Sequence, residues 1–309
     1  MRGWRVLDAT GLAGTVDGAR GRIVIKPEGR DSVEVPAADL AVLLIGGSTA
    51  ITSTALHYLQ KHDIALLVVD WRGVPIAGLY SWGEHTRVAA RHLAQADLSQ
   101  PRRKNAWMQV IKAKIQGQAA TLEQVDADGA ARLSELAKNV RSGDPNNAEG
   151  TAARVYWSRL FAGHTYFTRD QNAGDNLNAM FNYGYMVLRG HGIRAVLSAG
   201  LSPPLGLFHR GRSNYFNLVD DLIEPFRPAI DSVVVGLGVD ATLDDPATKK
   251  ALVDAANQQF THEGYRIPAV LESLAQQLGR YCEGDIDRLS VVAWSGPRSV
   301  PEADFSGEE

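Results

Sequence analysis

The stretch I-A-L-L-V-V-D-W-R-G-V-P-I-A-G-L-Y-S-W-G-E-H-T-R-V-A-A-R-H-L-A-Q-A-D, Ile64 to Asp97, changes character halfway along. Its first part holds two short apolar runs, Ile64 to Val69 and Pro75 to Tyr80, parted by Gly and Pro, and these predict strands. After Trp82 the apolar residues return at helical spacing, beginning with a helix over Thr86 to Asp97. An α+β chain is therefore expected: a small β-rich N-terminal domain over residues 1–84, then a larger, mostly α-helical catalytic domain over 85–295. The tail 296–309, rich in turn residues and without periodicity, is expected to be disordered.

Upstream of the transition, β-branched runs at Arg22 to Lys26, Ser32 to Val35 and Ala41 to Ile45 predict further strands. Ser53 to His62 has helical spacing between two apolar runs, so the strands around it are expected to pair in parallel. Downstream, helices are predicted over Arg102 to Gln124, Ala130 to Val140, Pro145 to Phe161, Asn172 to Leu197, Phe216 to Val235, Pro246 to Gln259 and Pro268 to Tyr281.

The 309 residues, 45% hydrophobic and 22% charged, suit a globular chain, and a net charge of −3 argues against a uniformly basic nucleic-acid coat. Cys282 is the single cysteine, which excludes an intramolecular disulfide and suits a reducing compartment. No run approaches a membrane span and no secretory signal opens the chain, so a cytoplasmic location without membrane contact is expected. Charge is unevenly spread. Pro101 to Gln118 carries Arg102, Arg103, Lys104, Lys112 and Lys114 with no acid, and Asn176 to Val219 carries Arg189, Arg194, Arg210 and Arg212 with none. Either stretch could track a phosphate backbone or form a solvated helix face.

Three separated segments offer metal ligands. Glu149 follows Asp144-Pro145, read as a helix start with Asp as the cap and Pro in the first turn. An acid there is favoured by the helix dipole whatever its function, but Gly150 and Thr151 next to it weaken the helix and allow a close approach. His209 lies in a Gly- and Pro-rich segment expected to be a loop, where flanking Arg210 and Arg212 should favour the neutral imidazole that a metal needs. Asp221 and Glu224 share one helix face at i, i+3, with Asp220 turned elsewhere. Pro225 and Pro228 nearby demand a helix start or a bend. Arg227 could bind phosphate or pair with these acids. Two carboxylates and an imidazole brought together would hold Mg²⁺ or Mn²⁺ with positions open for phosphate oxygens, the chemistry of cutting or joining phosphodiesters.

The wording of the motifs narrows this. D-P-N-N-A-E-G-T-A-A-R-V-Y (Asp144 to Tyr156), D-N-L-N-A-M-F-N-Y-G-Y (Asp175 to Tyr185), G-L-F-H (Gly206 to His209) and D-L-I-E-P-F-R-P (Asp221 to Pro228) together resemble the CRISPR-associated integrase family Cas-one, in the form accompanying type II systems. The resemblance begins at the opening G-W-R of Gly3 to Arg5 and covers most of the chain, although nothing after Val239 matches. It implies a β-rich domain joined to a helical catalytic domain. It also implies metal binding and catalysis by Glu149, His209 and Glu224, with Asp221 as a helper ligand. The implied partners are DNA, a second copy of the chain and the small dimeric protein Cas-two. The implied reaction is attack by the 3′ hydroxyl of a captured DNA on a repeat border. Arg210, Arg212 and Arg227 are candidate phosphate contacts, and Tyr183 or Tyr185 a candidate base-stacking group unless packed inside a helix. A stand-alone metal-dependent repair nuclease and a non-catalytic nucleic-acid scaffold are the competing readings.

Overall fold

The computed structural model describes residues 5–70, 75–81, 85–162 and 167–297. Gly3 and Trp4 of the opening motif, Trp82 at the transition, and the tail from 298 onward lie outside the described residues. Among the described residues the strands are β1 (Arg5–Ala9), β2 (Gly14–Ala19), β3 (Arg22–Pro27), β4 (Val33–Pro36), β5 (Leu40–Ile45), β6 (Thr49–Ile51), β7 (Ala65–Val69) and β8 (Pro75–Leu79). One helix, α1 (Ser53–Lys61), falls among them. The rest is helical: α2 (Val88–Ala96), α3 (Gln100–Leu122), α4 (Ala127–Asn139), α5 (Ala148–Leu160), α6 (Asn176–Ser198), α7 (Asn217–Ile223), α8 (Arg227–Leu237), α9 (Pro246–Ala255) and α10 (Ile267–Glu283). The α+β reading holds.

Two four-stranded sheets form, in the orders β1-β5-β7-β8 and β4-β3-β2-β6. β5 and β7, the apolar runs around α1, pair in parallel as expected, and β1 joins them in parallel. Strands β1, β2 and β6 were not legible. In β2, Gly14 and Gly18 look like turn residues, but the structure gives Gly18 a packing role: a Cβ there would lie 2.5 Å from the Tyr58 ring of α1. The helix therefore rests directly on the strand.

β5 and β7 are apolar on both faces, as parallel strands covered on both sides must be. Val42, Leu44 and Leu67 enter the large helical core, while Leu43, Ile45 and Leu66 enter the smaller β core. Among the described residues every strand precedes α2, yet the sheet of β1, β5, β7 and β8 serves both cores. On the helical side, Tyr183 of α6 donates a hydrogen bond to Asp8 of β1.

Helix α6 is buried along almost its whole length, as an all-round apolar helix should be. The expected helix Phe216 to Val235 is instead α7, a 3₁₀ turn at Glu224–Phe226, and α8. Pro225 and Pro228 fall in the first turns of the latter two, where a missing N–H costs nothing. Among the described residues no helix is long and apolar enough to cross a membrane.

Candidate metal centre

Glu149 sits in the first turn of α5, but the start of that helix differs from expectation. Pro145 lies outside it, and Asn147 is the cap, in the left-handed region at φ 50°. Asp144 does cap, from further back, accepting from the Ala148 N–H (2.8 Å) and the Glu149 N–H (2.9 Å). This fixes the backbone at Glu149 and turns its side chain toward α3.

There it meets Lys114. The Lys114 Nζ lies 2.7 Å from Glu149 Oε1 and 2.7 Å from Glu224 Oε2. Of these two contacts only the one with Glu149 is aligned as a hydrogen bond, so buried Glu224 Oε2 accepts no directed bond from the described residues. Arg227 closes the other side, with Nη2 3.2 Å from Glu224 Oε1 and its guanidinium 4.9 Å from the Tyr185 ring centroid. Burial pushes the Glu224 carboxyl up, but Arg227 and Lys114 outweigh it and hold the group below the ordinary range. For Lys114 burial works against the charge, and Glu224 and Glu149 overcome it, so the ammonium is retained.

His209 is positioned from below by Asp221, which is fully buried on α7. Asp221 Oδ2 accepts from the Leu207 and Phe208 N–H groups, and Oδ1 accepts from the His209 N–H (3.2 Å) and faces His209 Nδ1 at 2.7 Å. The loop can wrap this closely only because residue 206 is glycine: a Cβ would lie 2.4 Å from the His209 carbonyl oxygen and 2.8 Å from Asp221 Oδ2. Asp221, expected as a helper ligand, has both oxygens committed to this loop. Its hydrogen bond raises the His209 pKa, opposite to the expectation from Arg210 and Arg212. Those arginines are exposed and solvated, so the nearby carboxylate dominates. Burial in turn raises Asp221, although the bonds from His209 and Phe208 oppose it. Trp107 of α3 backs the loop, stacking on Phe208 at 4.6 Å with the His209 ring edge-on at 6.0 Å.

Other candidates have structural partners. Arg189 pairs with Asp220 at 2.8 Å and Arg194 donates to the Asp63 carbonyl at 2.9 Å. Arg102 donates to the Tyr281 and Ile286 carbonyls. The two basic stretches are therefore not continuous phosphate tracks. Tyr185 is buried and, with Tyr156, donates to fully buried Asp231. Burial lifts Asp231 to about 7 despite both hydroxyls and Arg227. Lys114 and Asp231 were both missed as site residues by sequence reasoning, since their partners lie far away along the chain.

The donor chemistry fits a hard divalent cation. Two carboxylates already converge on a positive charge, one buried carboxylate oxygen lacks a directed bond among the described residues, and an imidazole is oriented through Nδ1 by a carboxylate, as metal-binding histidines commonly are. Among the described residues no three His, Cys, Asp or Glu side chains stand at ligand spacing around a common point. Lys114 holds the place between the two glutamates.

Fold and site together define an α+β protein whose helical domain gathers Glu149 and Glu224 around the Lys114 ammonium. The profile of the family described as CRISPR associated protein Cas1 (Cas-one) matches residues 13–251, and the chain belongs to that family. It is 36% identical over 249 residues to a CRISPR-associated endonuclease Cas1 of Neisseria meningitidis serogroup C (strain 8013), covering 79% of this chain and 80% of the relative. Its fold is similar to that of a casposase bound to integration product, with a TM-score of 0.75, 21% identity and coverage of 96% of this chain and 94% of that one. It is also similar to a chain of a Cas6-RT-Cas1–Cas2 complex, with a TM-score of 0.75 and 18% identity, covering 96% of this chain and 36% of that one.

Proposed function

We propose that this chain is a metal-dependent DNA integrase and endonuclease of CRISPR adaptation, joining the 3′ ends of a captured DNA to the borders of a CRISPR repeat. The observation that carries the reading is the convergence of Glu149 and Glu224 on one cation, with an imidazole held by Asp221 near enough to Glu224 for the two charges to interact. Glu149, Glu224 and His209 would hold Mg²⁺ or Mn²⁺, a donor set suited to hard cations. A bound ion of this kind supplies Lewis-acid stabilisation of charge on the phosphoryl oxygens and the leaving 3′ oxygen. Asp221 orients rather than ligates. With Nδ1 tied to Asp221, the neutral ring keeps its Nε2 lone pair free for the ion.

Arg210 and Arg212 are exposed next to His209 and are the phosphate contacts in this reading. Arg227 and Tyr185 act indirectly, by holding Glu224. The attacking group is a DNA 3′ hydroxyl. One phosphodiester replaces another, so no nucleotide triphosphate is consumed, and water in place of the hydroxyl gives cleavage. Similarity to a casposase bound to integration product and to a chain of a complex containing Cas2 supports DNA and Cas2 as partners. A homodimer follows from the family resemblance.

The test is strand transfer of a short duplex into a supercoiled plasmid bearing the repeat, with Cas2 and Mg²⁺ or Mn²⁺. Joined product should form with the unaltered chain and disappear in His209→Ala and Glu224→Gln. Cleavage without joining, independent of Cas2, would make the chain a stand-alone repair nuclease, and undiminished joining by His209→Ala would remove the catalytic reading.

A further inference from the structure

Lys114 is where the centre departs most from a permanent ion-pair cluster. Its side chain is 14% exposed and that of Glu224 5%, so the ammonium sits inside the protein between two carboxylates. Yet of its contacts with the two acids only the one to Glu149 is a directed hydrogen bond. The Glu149 side chain keeps 24% of its surface open to solvent, so the centre has an entrance on that side. An interior ion pair evolved for rigidity satisfies its donors and acceptors, because the low dielectric makes every unmade bond expensive. Lys114 instead neutralises one carboxylate by charge and proximity, and its unbranched four-carbon stem can withdraw without rebuilding the helix that carries it. Arg227 also meets Glu224 as an ion pair, at 3.2 Å, and its planar guanidinium lies over the Tyr185 ring.

We propose that Lys114 is the resident cation of this centre: it keeps Glu149 and Glu224 together until a divalent ion enters, then gives way, and so sets how tightly the ion is held. The inference rests on the reading of Glu149, His209 and Glu224 as the metal site. Without the counter-charge that they share, two converging carboxylates would be driven apart by repulsion. With Lys114 present the acids stay at their posts, and an incoming ion pays only for displacing the ammonium. Any ligand that must displace a resident group binds with an apparent affinity lowered by the fraction of time the site is free. A site occupied by Lys114 about nine-tenths of the time is weakened about tenfold.

Two measurements on the full chain, without DNA or turnover, test this. The first is calorimetric titration with Mn²⁺ alone of the unaltered protein, Lys114→Met and Glu224→Gln. Lys114→Met should bind about tenfold more tightly; equal or weaker binding by a folded Lys114→Met overturns the proposal. The second needs no substitution: brief treatment with an amine-acetylating reagent followed by mass spectrometry. Lys114 should be protected in metal-free protein and become reactive at saturating Mn²⁺; continued protection overturns the proposal even where Lys114→Met does not fold. The two levels fail differently. Mn²⁺ binding untouched by Glu224→Gln would show that the metal site itself has been misassigned, and the role of Lys114 would fall with it. Binding that depends on Glu224, with Lys114 protected throughout, would leave the site intact and reject Lys114 alone.

Discussion

Asp221→Asn isolates the group that orients the imidazole. The carboxylate accepts from the backbone N–H groups of Leu207, Phe208 and His209 and faces His209 Nδ1. Asparagine keeps one oxygen, enough for Leu207 and Phe208, and turns an amide toward His209, so the bond from the His209 N–H is lost to an opposed donor and the charged bond with Nδ1 becomes a neutral one of reversed direction. Hydrogen bonds to charged groups contribute about 1.5–3 kcal/mol each, and the buried carboxylate's relieved desolvation offsets part of the loss; a net cost of about 2–3 kcal/mol is expected. The amide also donates where the carboxylate accepted, so Nδ1 must become the acceptor and the ring proton moves to Nε2. That nitrogen then has no lone pair for a metal, and Mn²⁺ affinity should drop about 10–100-fold, the usual penalty for losing an outer-shell partner. Urea unfolding gives the first quantity and a Mn²⁺ titration of the folded variant the second. A variant that unfolds at the unaltered protein's urea midpoint and binds Mn²⁺ equally well would refute the positioning role.

The remaining predictions concern charge. Asp231 has a folded pKa of about 7, above its unfolded value near 4, so the folded state holds the proton more tightly. Stability should therefore decline as pH rises through that window, by at most about 1.4 kcal/mol per unit. Asp231→Asn should lack this decline, and unfolding free energies of the two proteins that stay parallel from pH 4 to 8 would contradict it. His191 is buried with no hydrogen-bond partner among the described residues on either ring nitrogen, and burial pulls it down to about 3. The unfolded ring protonates near pH 6.5, so this group costs stability as pH falls from there toward 3. His191→Leu should raise the unfolding free energy at neutral pH by about 1–2 kcal/mol, and a lower melting temperature would count against that account. Arg210→Ala with Arg212→Ala should weaken DNA binding at all sequences and flatten the plot of log affinity against log salt by about 2. An unchanged slope would take both arginines away from the phosphates.

The fold was legible where one face or both of an element is apolar over several turns or residues. β5, β7, α3 and α6 declare themselves in this way, whereas β2 hid behind two glycines, Gly14 lying against the Lys26 carbonyl of β3 and Gly18 against Tyr58 of α1. Glu149, His209 and Glu224 stand in segments marked by Gly and Pro residues, and the structure gives Gly206 its reason in the close approach of the loop to Asp221. Lys114 carried no such mark. It lies in K-A-K-I-Q within a helix, and nothing local says that two acids from other helices will close on it. For the same reason the arginines of both basic stretches read as phosphate contacts, while Arg102, Arg189 and Arg194 are spent on distant carbonyls and acids. His209 shows the electrostatic limit of sequence reading. Neighbours at 210 and 212 are visible in sequence but solvated in space, and a carboxylate 2.7 Å away decides the proton affinity.

The most direct test of the central claim is a crystal structure of the chain soaked in Mn²⁺, read by anomalous scattering. One peak should appear, bound by Glu149, Glu224 and His209 Nε2, with the Lys114 ammonium withdrawn from between the glutamates. An ion bound elsewhere, or Lys114 still bridging both carboxylates at saturating Mn²⁺, would contradict it.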